Sequence, residues 1–230
     1  TLAGLAAENK TAEFKSTLTQ GLGYVIFINA LMGGLLLILA EPIVRLLFEW
    51  GKFDADSTLG VASALWWLGL ALVFYSVNSI LTRAFFALGD TQMPMRLSAI
   101  CLVLNLVAVC RLIGPYQAEG LAMANCATAF LNTLLLVFYL RKKIGSIGLR
   151  KMIVMVIQVL CALAVSLAIG LFLHGWWDNL FGHATLAMRI GGVFVPLGVT
   201  AFFYLLFTLA LKMPVAREFI ALAKKRLWKK

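Results

Sequence analysis

Five polar residues lie between or within long apolar runs and carry the side chains best suited to binding or gating a solute: Arg83, Asp90, Thr91, Asn105 and Asn125. Arg83 and Asp90 belong to one short polar stretch and could form an ion pair that closes a passage. Asn105 and Asn125 lie centrally in consecutive apolar runs and could share a cation or line a polar cavity. No nucleophile stands beside a base, so the pattern predicts binding or gating and no catalytic residue.

The same residues also have simpler structural interpretations. Gly89 can end one helix in left-handed geometry, Asp90 and Thr91 can cap the next helix, and Pro94 is tolerated in its first turn. Amide side chains inside spans can hydrogen bond between helices, at about 0.6 kcal/mol each. The polar stretch is therefore either a gate or a turn. The interhelical interpretation is favoured for the remaining span amides, which are Asn29, Asn78, Asn132 and Gln158.

Metal-binding patterns are weak. The run from Asp54 to Thr58 resembles the start of a calcium loop, but the glycine and glutamate needed at the sixth and twelfth positions are absent, so helix capping by Asp56 or Ser57 is favoured. His174 and His183 are too few for a zinc site, and the tryptophans beside them indicate an interfacial loop. The sequence predicts no metal site and no enzyme.

The composition indicates which solvent these residues face. Of 230 residues, 62% are hydrophobic and only 13% are charged, and mean hydropathy is +0.95. A soluble domain of this size could not bury so much apolar surface, and continuous apolar runs of about 20 residues favour membrane helices over barrel strands. The sequence predicts an all-α polytopic membrane protein with six transmembrane helices, at Leu22–Ala40, Leu59–Ala87, Met95–Ile113, Gly120–Leu140, Met152–Leu173 and Ile190–Leu211.

The net charge of +10 is explained by membrane topology rather than by nucleic-acid binding, because the Lys and Arg residues flank the apolar runs. Sixteen of the 20 Lys and Arg residues fall on the side that holds both ends of the chain, which predicts that both ends are cytoplasmic. The predicted divisions are a cytoplasmic amphipathic segment (1–21), four transmembrane helices (22–140), a basic cytoplasmic loop (141–151), a helix pair (152–211) and a basic cytoplasmic tail (212–230).

Three further segments are predicted to be helical, and two of them, Ile43–Phe48 and the basic tail from Lys212, are predicted to lie along the membrane surface. Residues 1–20 have the apolar spacing of one amphipathic helix, and Ile43–Phe48 predicts a short helix at the outer interface that ends at Gly51. The tail from Lys212 is also helical in pattern, with Val215 and Phe219 on its apolar face.

Four stretches together resemble one family. They are "LAGLAAENKTAEFKSTLTQGL", "LLFEWGKFDADST", "LTRAFFALGDTQMPMR" and "GLAMANCATAFLNTLLLVFYLRKK". In order and spacing they are similar to the C-terminal half of the MurJ (MviN) family of lipid II flippases, within the multidrug/oligosaccharidyl-lipid/polysaccharide exporter superfamily. The resemblance implies spans nine to fourteen of a fourteen-helix transporter in the bacterial cytoplasmic (inner) membrane. Its cargo would be a lipid-linked peptidoglycan precursor, used in cell-wall synthesis.

The resemblance also implies roles for individual residues. Arg83, Asp90 and Thr91 would belong to a cytoplasmic connector that acts as a gate or brace. Asn105 matches an asparagine of the sodium site that some members have, whereas Val109 stands at that site's acidic position and Asn125 replaces a threonine. The resemblance therefore allows transport to be coupled either to sodium or to membrane potential. No other cofactor is expected.

The implied partners are the cargo, membrane lipids and the first lobe of the same protein, which in the family carries the main head-group contacts. Two alternatives are a related exporter of other lipid-linked oligosaccharides or drugs, and a membrane scaffold subunit that transports nothing.

Overall fold

The computed structural model describes residues 2–8, 10–48, 55–145, 148–182 and 185–227. Within these ranges the chain is almost entirely helical and contains no strand, so the all-α prediction is confirmed. The helices are α1 (Leu2–Ala7), α2 (Thr11–Phe48), α3 (Ala55–Ala87), α4 (Gln92–Ile144), α5 (Leu149–Phe181), α6 (Leu186–Ala210) and α7 (Pro214–Leu227).

Five helices in the described part of the chain, α2 to α6, are long and apolar enough to cross a membrane. Large apolar side chains are exposed on the surfaces of these helices: Leu102 is 69% exposed and Phe172 is 76% exposed. Water would not tolerate so much exposed apolar surface on a monomer, whereas lipid tails solvate it well. The protein is therefore a multi-pass membrane protein.

Helix α4 consists of two antiparallel arms. A straight helix of its 53 residues would be about 80 Å long. However, the Asn105 and Asn125 side chains are 3.0 Å apart although 20 residues separate them, so the chain must reverse between them. The reversal is at Gln117, whose φ of 47° and ψ of −126° are not helical. We call residues 92–116 the first arm and residues 118–144 the second arm, and the six predicted spans correspond to these arms and the four other long helices.

The chain divides into two compact units, Thr1–Leu149 and Arg150–Lys230. In the first unit α3 packs against both α2 and α4. Glycines let α2 and α3 approach closely: a Cβ added at Gly33 would lie 2.5 Å from the carbonyl oxygen of Gly69. Small residues at a crossing are typical of membrane helices, which gain dispersion energy from close backbone approach.

In the second unit, the end of α5 meets the start of α6. The Trp177 indole Nε1–H donates to the carbonyl oxygen of Met188 (3.1 Å), and a Cβ added at Gly191 would collide with the Trp177 ring. Thr185 caps α6 by accepting the Met188 amide N–H (3.4 Å). Between α6 and α7 the chain turns at Lys212, which has a φ of 54°. These contacts define α5, α6 and α7 as one helical unit.

Two of the predictions about further helical segments are wrong. Residues 1–20 do not form one amphipathic helix, because the chain forms the short α1 and then starts α2 at Thr11, with no break before the first span. Similarly, Ile43–Phe48 is not a separate interfacial helix but the last part of α2, which continues past Pro42. A proline can be accommodated in a membrane helix when neighbouring groups satisfy the freed carbonyl. Gly51 and Asp54 lie outside the described residues.

Other boundaries also differ from the predictions. His174 and its neighbouring tryptophans belong to α5 and not to an interfacial loop, while His183 lies outside the described residues. Helix α4 continues to Ile144, so the predicted basic loop is partly helical. The tail forms α7, in which Val215 is buried. The side chain of Asp56 is not described, and its predicted capping role stays a prediction.

Candidate functional site

The connector from Leu88 to Thr91 is a tight turn, and its backbone geometry and hydrogen bonds explain why Gly89 and Asp90 occur there. Gly89 has a φ of +74°, and its amide N–H donates to the Phe86 carbonyl (3.0 Å) at the end of α3. The Asp90 carboxylate oxygen Oδ1 then accepts the Met93 amide N–H (3.0 Å) in the first turn of α4. Thr91 makes no capping bond with its side chain. The predicted roles of Gly89 and Asp90 in ending and starting helices are therefore present.

Asp90 also forms a long-range ion pair, with Lys143 and not with Arg83. Its Oδ2 lies 2.5 Å from the Lys143 ammonium, at the far end of the second arm. The hydrogen bond from Lys143 lowers the pKa of the Asp90 carboxyl, and the backbone bond from Met93 and the charge of Arg96 act in the same direction. Arg83 is exposed and makes no ion pair within the described residues. The connector is thus tied to the second arm by a carboxylate that stays charged at neutral pH.

A cavity of about 270 Å³ lies beside this ion pair. We call it the connector cavity. It is lined by residues from the end of α3, the connector, the start of α4 and the end of the second arm: Phe85, Asp90, Met93, Tyr139, Lys142 and Lys143.

The two α4 arms are joined by a group of polar side chains that we call the arm cluster: Asn105, Asn125 and Thr128. The Asn105 amide group donates from Nδ2 to Asn125 Oδ1 (3.0 Å) and to Thr128 Oγ1 (2.9 Å). The Thr128 hydroxyl donates to the carbonyl oxygen of Ala124 (2.6 Å) in its own helix. The structure therefore brings the two predicted asparagines together and adds a threonine to them.

A second polar group ties α3 to the second arm, through residues other than those of the arm cluster. The buried Asn78 amide donates to the carbonyl oxygen of Ala129 (3.1 Å) and accepts the Thr133 hydroxyl (2.9 Å). The predicted interhelical role of Asn78 is therefore present. Asn29 instead donates to the carbonyl oxygen of Val25 in its own helix, so its predicted interhelical bond is wrong. The second arm is thus hydrogen bonded to both the first arm and α3.

In the arm cluster, two of the oxygens that could bind a cation, Asn125 Oδ1 and Thr128 Oγ1, accept hydrogen bonds from the Asn105 amide. Hard cations require converging oxygen ligands, but the group that faces Asn125 Oδ1 and Thr128 Oγ1 is the Asn105 amide nitrogen. The acidic position one turn later is Val109. As arranged, the amide N–H₂ group satisfies the oxygens that a cation would bind.

Charge is distributed unequally between the two ends of the first unit. The Asp90–Lys143 pair and the approach of Lys15 to Gly145 place the start of α2, the connector and the end of the second arm at one end, which we call the connector end. At the opposite end the Trp67 indole donates to Glu119 (3.1 Å), and Arg45 pairs with Glu41. The cations at the connector end are Lys10, Lys15, Arg83, Arg96, Arg141, Lys142 and Lys143.

Two partners in these sites were not among the predicted site residues. Thr128 lies three residues after Asn125, and this helical spacing places both on one face, so it could have been found. Lys143 could not have been selected, because Arg141, Lys142 and Lys143 are equally basic and the choice depends on how the second arm docks on the connector.

Comparison with known proteins identifies the family. The family model described as "Lipid II flippase MurJ" matches residues 1–192. A protein of Synechocystis sp. named "Probable lipid II flippase MurJ" is 26% identical over 226 residues, covering 98% of this chain and 42% of that protein. A protein of the same name from Rhizobium meliloti is 34% identical over 113 residues, covering 49% of this chain and 21% of that protein.

A solved structure titled "Lipid II flippase MurJ, inward closed conformation" is similar with a TM-score of 0.68 at 20% identity, covering 91% of this chain and 42% of that one. This similarity establishes a shared fold. The chain spans less than half the length of the relatives described above. With a family model matched over most of its residues, the chain belongs to the lipid II flippase MurJ family.

Proposed function

We propose that this chain is the C-terminal part of a flippase that moves lipid II, a lipid-linked peptidoglycan precursor, across the bacterial cytoplasmic membrane. The observation that carries the proposal is the family match over residues 1–192. The barrier to flipping is desolvation of the polar head group, which a wet cavity lowers without making or breaking a bond. We therefore propose a transporter rather than an enzyme, whose partners are the first lobe of the same protein and the surrounding lipids.

The hydrogen bonds of the first unit support transport by alternating access. The second arm is bonded to the first arm by Asn105 and to α3 by Asn78. The second arm therefore cannot slide against the first arm or against α3 without breaking hydrogen bonds. We propose that α3 and the two arms move as one rigid body, as expected when one repeat rocks against another around a central site.

The charge distribution supports an orientation. We propose that the connector end faces the cytoplasm, because it carries most of the described cations of the first unit, and that both ends of the chain do so too. Asp90 would then brace the cytoplasmic end through Lys143, with Thr91 in the same turn and Arg83 available to a partner outside this chain.

A reconstitution experiment tests the function. The protein as its gene encodes it is placed in vesicles that contain fluorescent lipid II, and a membrane-impermeant reductant is added outside. We expect the reductant to bleach label from both leaflets when the protein is present, and from the outer leaflet alone in empty vesicles. A second set of vesicles contains a fluorescent lipid-linked oligosaccharide of different head group.

The outcomes separate the candidate functions. Bleaching confined to the outer leaflet for lipid II, but complete for the other lipid, would identify the related exporter. Bleaching confined to the outer leaflet for both lipids would favour the scaffold subunit. Complete bleaching for lipid II and not for the other lipid is the result that the proposal requires.

For ion coupling, we propose that the native arm cluster does not bind sodium. The Asn105 amide nitrogen faces the oxygens that a cation would need. We expect the wild-type protein in a neutral bilayer to have the same midpoint of thermal unfolding (its thermal midpoint) in Na⁺ and in choline. In Asn105→Asp a carboxylate faces Asn125 and Thr128, so we expect Na⁺ to raise the midpoint, because an ion that binds only the folded state stabilises it.

The matched control is Asn105→Leu, which removes the same hydrogen bonds without adding a charge. Its thermal midpoint should be lower than that of the wild-type protein and equal in Na⁺ and choline. A rise in the wild-type midpoint with Na⁺ that Asn105→Leu abolishes would show that the native cluster does bind sodium.

A further inference from the structure

The connector cavity combines an apolar wall with ammonium groups at its mouth. Phe85 is almost fully buried and forms part of the wall together with the half-buried Met93. Lys142 and Lys143 are exposed at the end of the second arm. A volume of about 270 Å³ exceeds the roughly 30 Å³ that one water molecule occupies, so the space can hold a polar group of several atoms.

The charges within the cavity leave one cation uncommitted. Both oxygens of Asp90 already accept hydrogen bonds, Oδ2 from Lys143 and Oδ1 from the Met93 amide. Lys142 makes no hydrogen bond or ion pair in the described part of the chain. With Lys142 and Lys143 positive and Asp90 negative, the lining carries a net charge of +1. An ammonium group without a carboxylate partner beside a cavity favours an anion.

The position of the cavity favours an amphiphilic anion. The lining residues lie where α3 and the second arm emerge from their apolar spans. At that depth long lysine side chains extend toward water while aromatic rings stay at the level of the lipid head groups. A phosphate in the cavity would meet Lys142 and Lys143, and the carbon atoms next to it would meet Phe85 and Met93.

We propose that the connector cavity binds the phosphate of an anionic phospholipid head group. Lys142 is the main contact, and Lys143, held by Asp90, is the second. The inference is independent of the proposed cargo, because it concerns a separate ligand at the connector end. A bound head group would join α3, the connector and the second arm, and should stabilise the folded protein.

The test uses the protein as its gene encodes it, in bilayers of phosphatidylcholine with increasing phosphatidylglycerol. We expect the thermal midpoint to rise and saturate with the anionic lipid. In Lys142→Gln, half of the rise in thermal midpoint should require about tenfold more anionic lipid than in the wild-type protein. This shift is expected for loss of one charge-assisted hydrogen bond. Lys142→Arg should restore the wild-type titration. Because Lys142 has no hydrogen-bond or ion-pair partner among the described residues, these variants should match the wild-type thermal midpoint in pure phosphatidylcholine.

The matched control is Arg141→Gln, which removes an exposed cation from the same helix end but outside the cavity lining. It should titrate like the wild-type protein. Equal weakening by Arg141→Gln and Lys142→Gln would mean that general surface charge attracts the lipid, which overturns the proposal. Absence of a saturating rise would also overturn it. So would stabilisation by inorganic phosphate, added to pure phosphatidylcholine bilayers, that equals the effect of the anionic lipid.

Discussion

Replacing Gly33 by valine should destabilise the first unit more than any other single change at the α2–α3 crossing. A Cβ at this position would lie 2.5 Å from the Gly69 carbonyl oxygen, which is backbone and cannot rotate away. Overpacking in a well-packed core costs about 1–3 kcal/mol, and more where helices must separate. We expect a sharp fall in the yield of monodisperse protein after solubilisation and a lower thermal midpoint for what remains.

Gly60→Val is the matched control for this substitution. Gly60 also lies within a helix of the first unit, but a Cβ added there meets nothing within 4 Å. It experiences the same change in helix propensity without the collision. If Gly33→Val and Gly60→Val behaved alike, the close approach of α2 and α3 would be wrong.

Replacing Gly120 by valine should separate the two arms of α4. A Cβ there would collide with the carbonyl oxygen of Leu112 and lie 2.7 Å from its carbonyl carbon. Because the collision is next to the chain reversal at Gln117, the arms must move apart, and the bonds of Asn105 across them would lengthen or break. We expect a loss of at least about 2 kcal/mol from overpacking together with the lost hydrogen bonds.

Native cysteines report this separation directly. Cys101 on the first arm and Cys126 on the second arm are buried, whereas Cys110 is exposed. Labelling with a membrane-permeant maleimide, resolved by peptide mass spectrometry, should modify Cys101, which lies one turn before Asn105 on the first arm, faster in Gly120→Val than in the wild-type protein. Gly114→Val is the control, because a Cβ there meets nothing within 4 Å. Unchanged labelling of Cys101 in Gly120→Val would contradict the hairpin.

The membrane crossings could be predicted from sequence because hydrocarbon thickness and helical rise together set the length of an apolar run. The predicted end of the second span at Ala87 is also the end of α3. The helix ends opposite the connector end could not be predicted in this way. Polar or proline-containing sequence, such as the stretch around Pro42, leaves the chain free to continue as a helix or to turn, and the choice depends on packing.

The polar contacts could be predicted to a similar extent. The central positions of Asn105 and Asn125 in adjacent spans indicated a pair, since amides in lipid need partners. The direction of the bond is a property of the folded structure: the Asn105 nitrogen faces two oxygens, which determines whether a cation can bind. Likewise, Asp90 could be assigned to the turn from sequence, but its pairing with Lys143 joins residues 53 positions apart.

The hydrogen bonds between the two arms bear on how the protein enters the bilayer during its synthesis. Each arm alone would carry an asparagine without its partner into hydrocarbon, whereas the bond between the arms contributes about 0.6 kcal/mol. Once paired, Asn105 and Asn125 satisfy part of their hydrogen-bonding requirement within the hairpin itself. The free energy of insertion is therefore lower for the two arms together than for either arm in turn, so the translocation machinery should release them into lipid as a single unit.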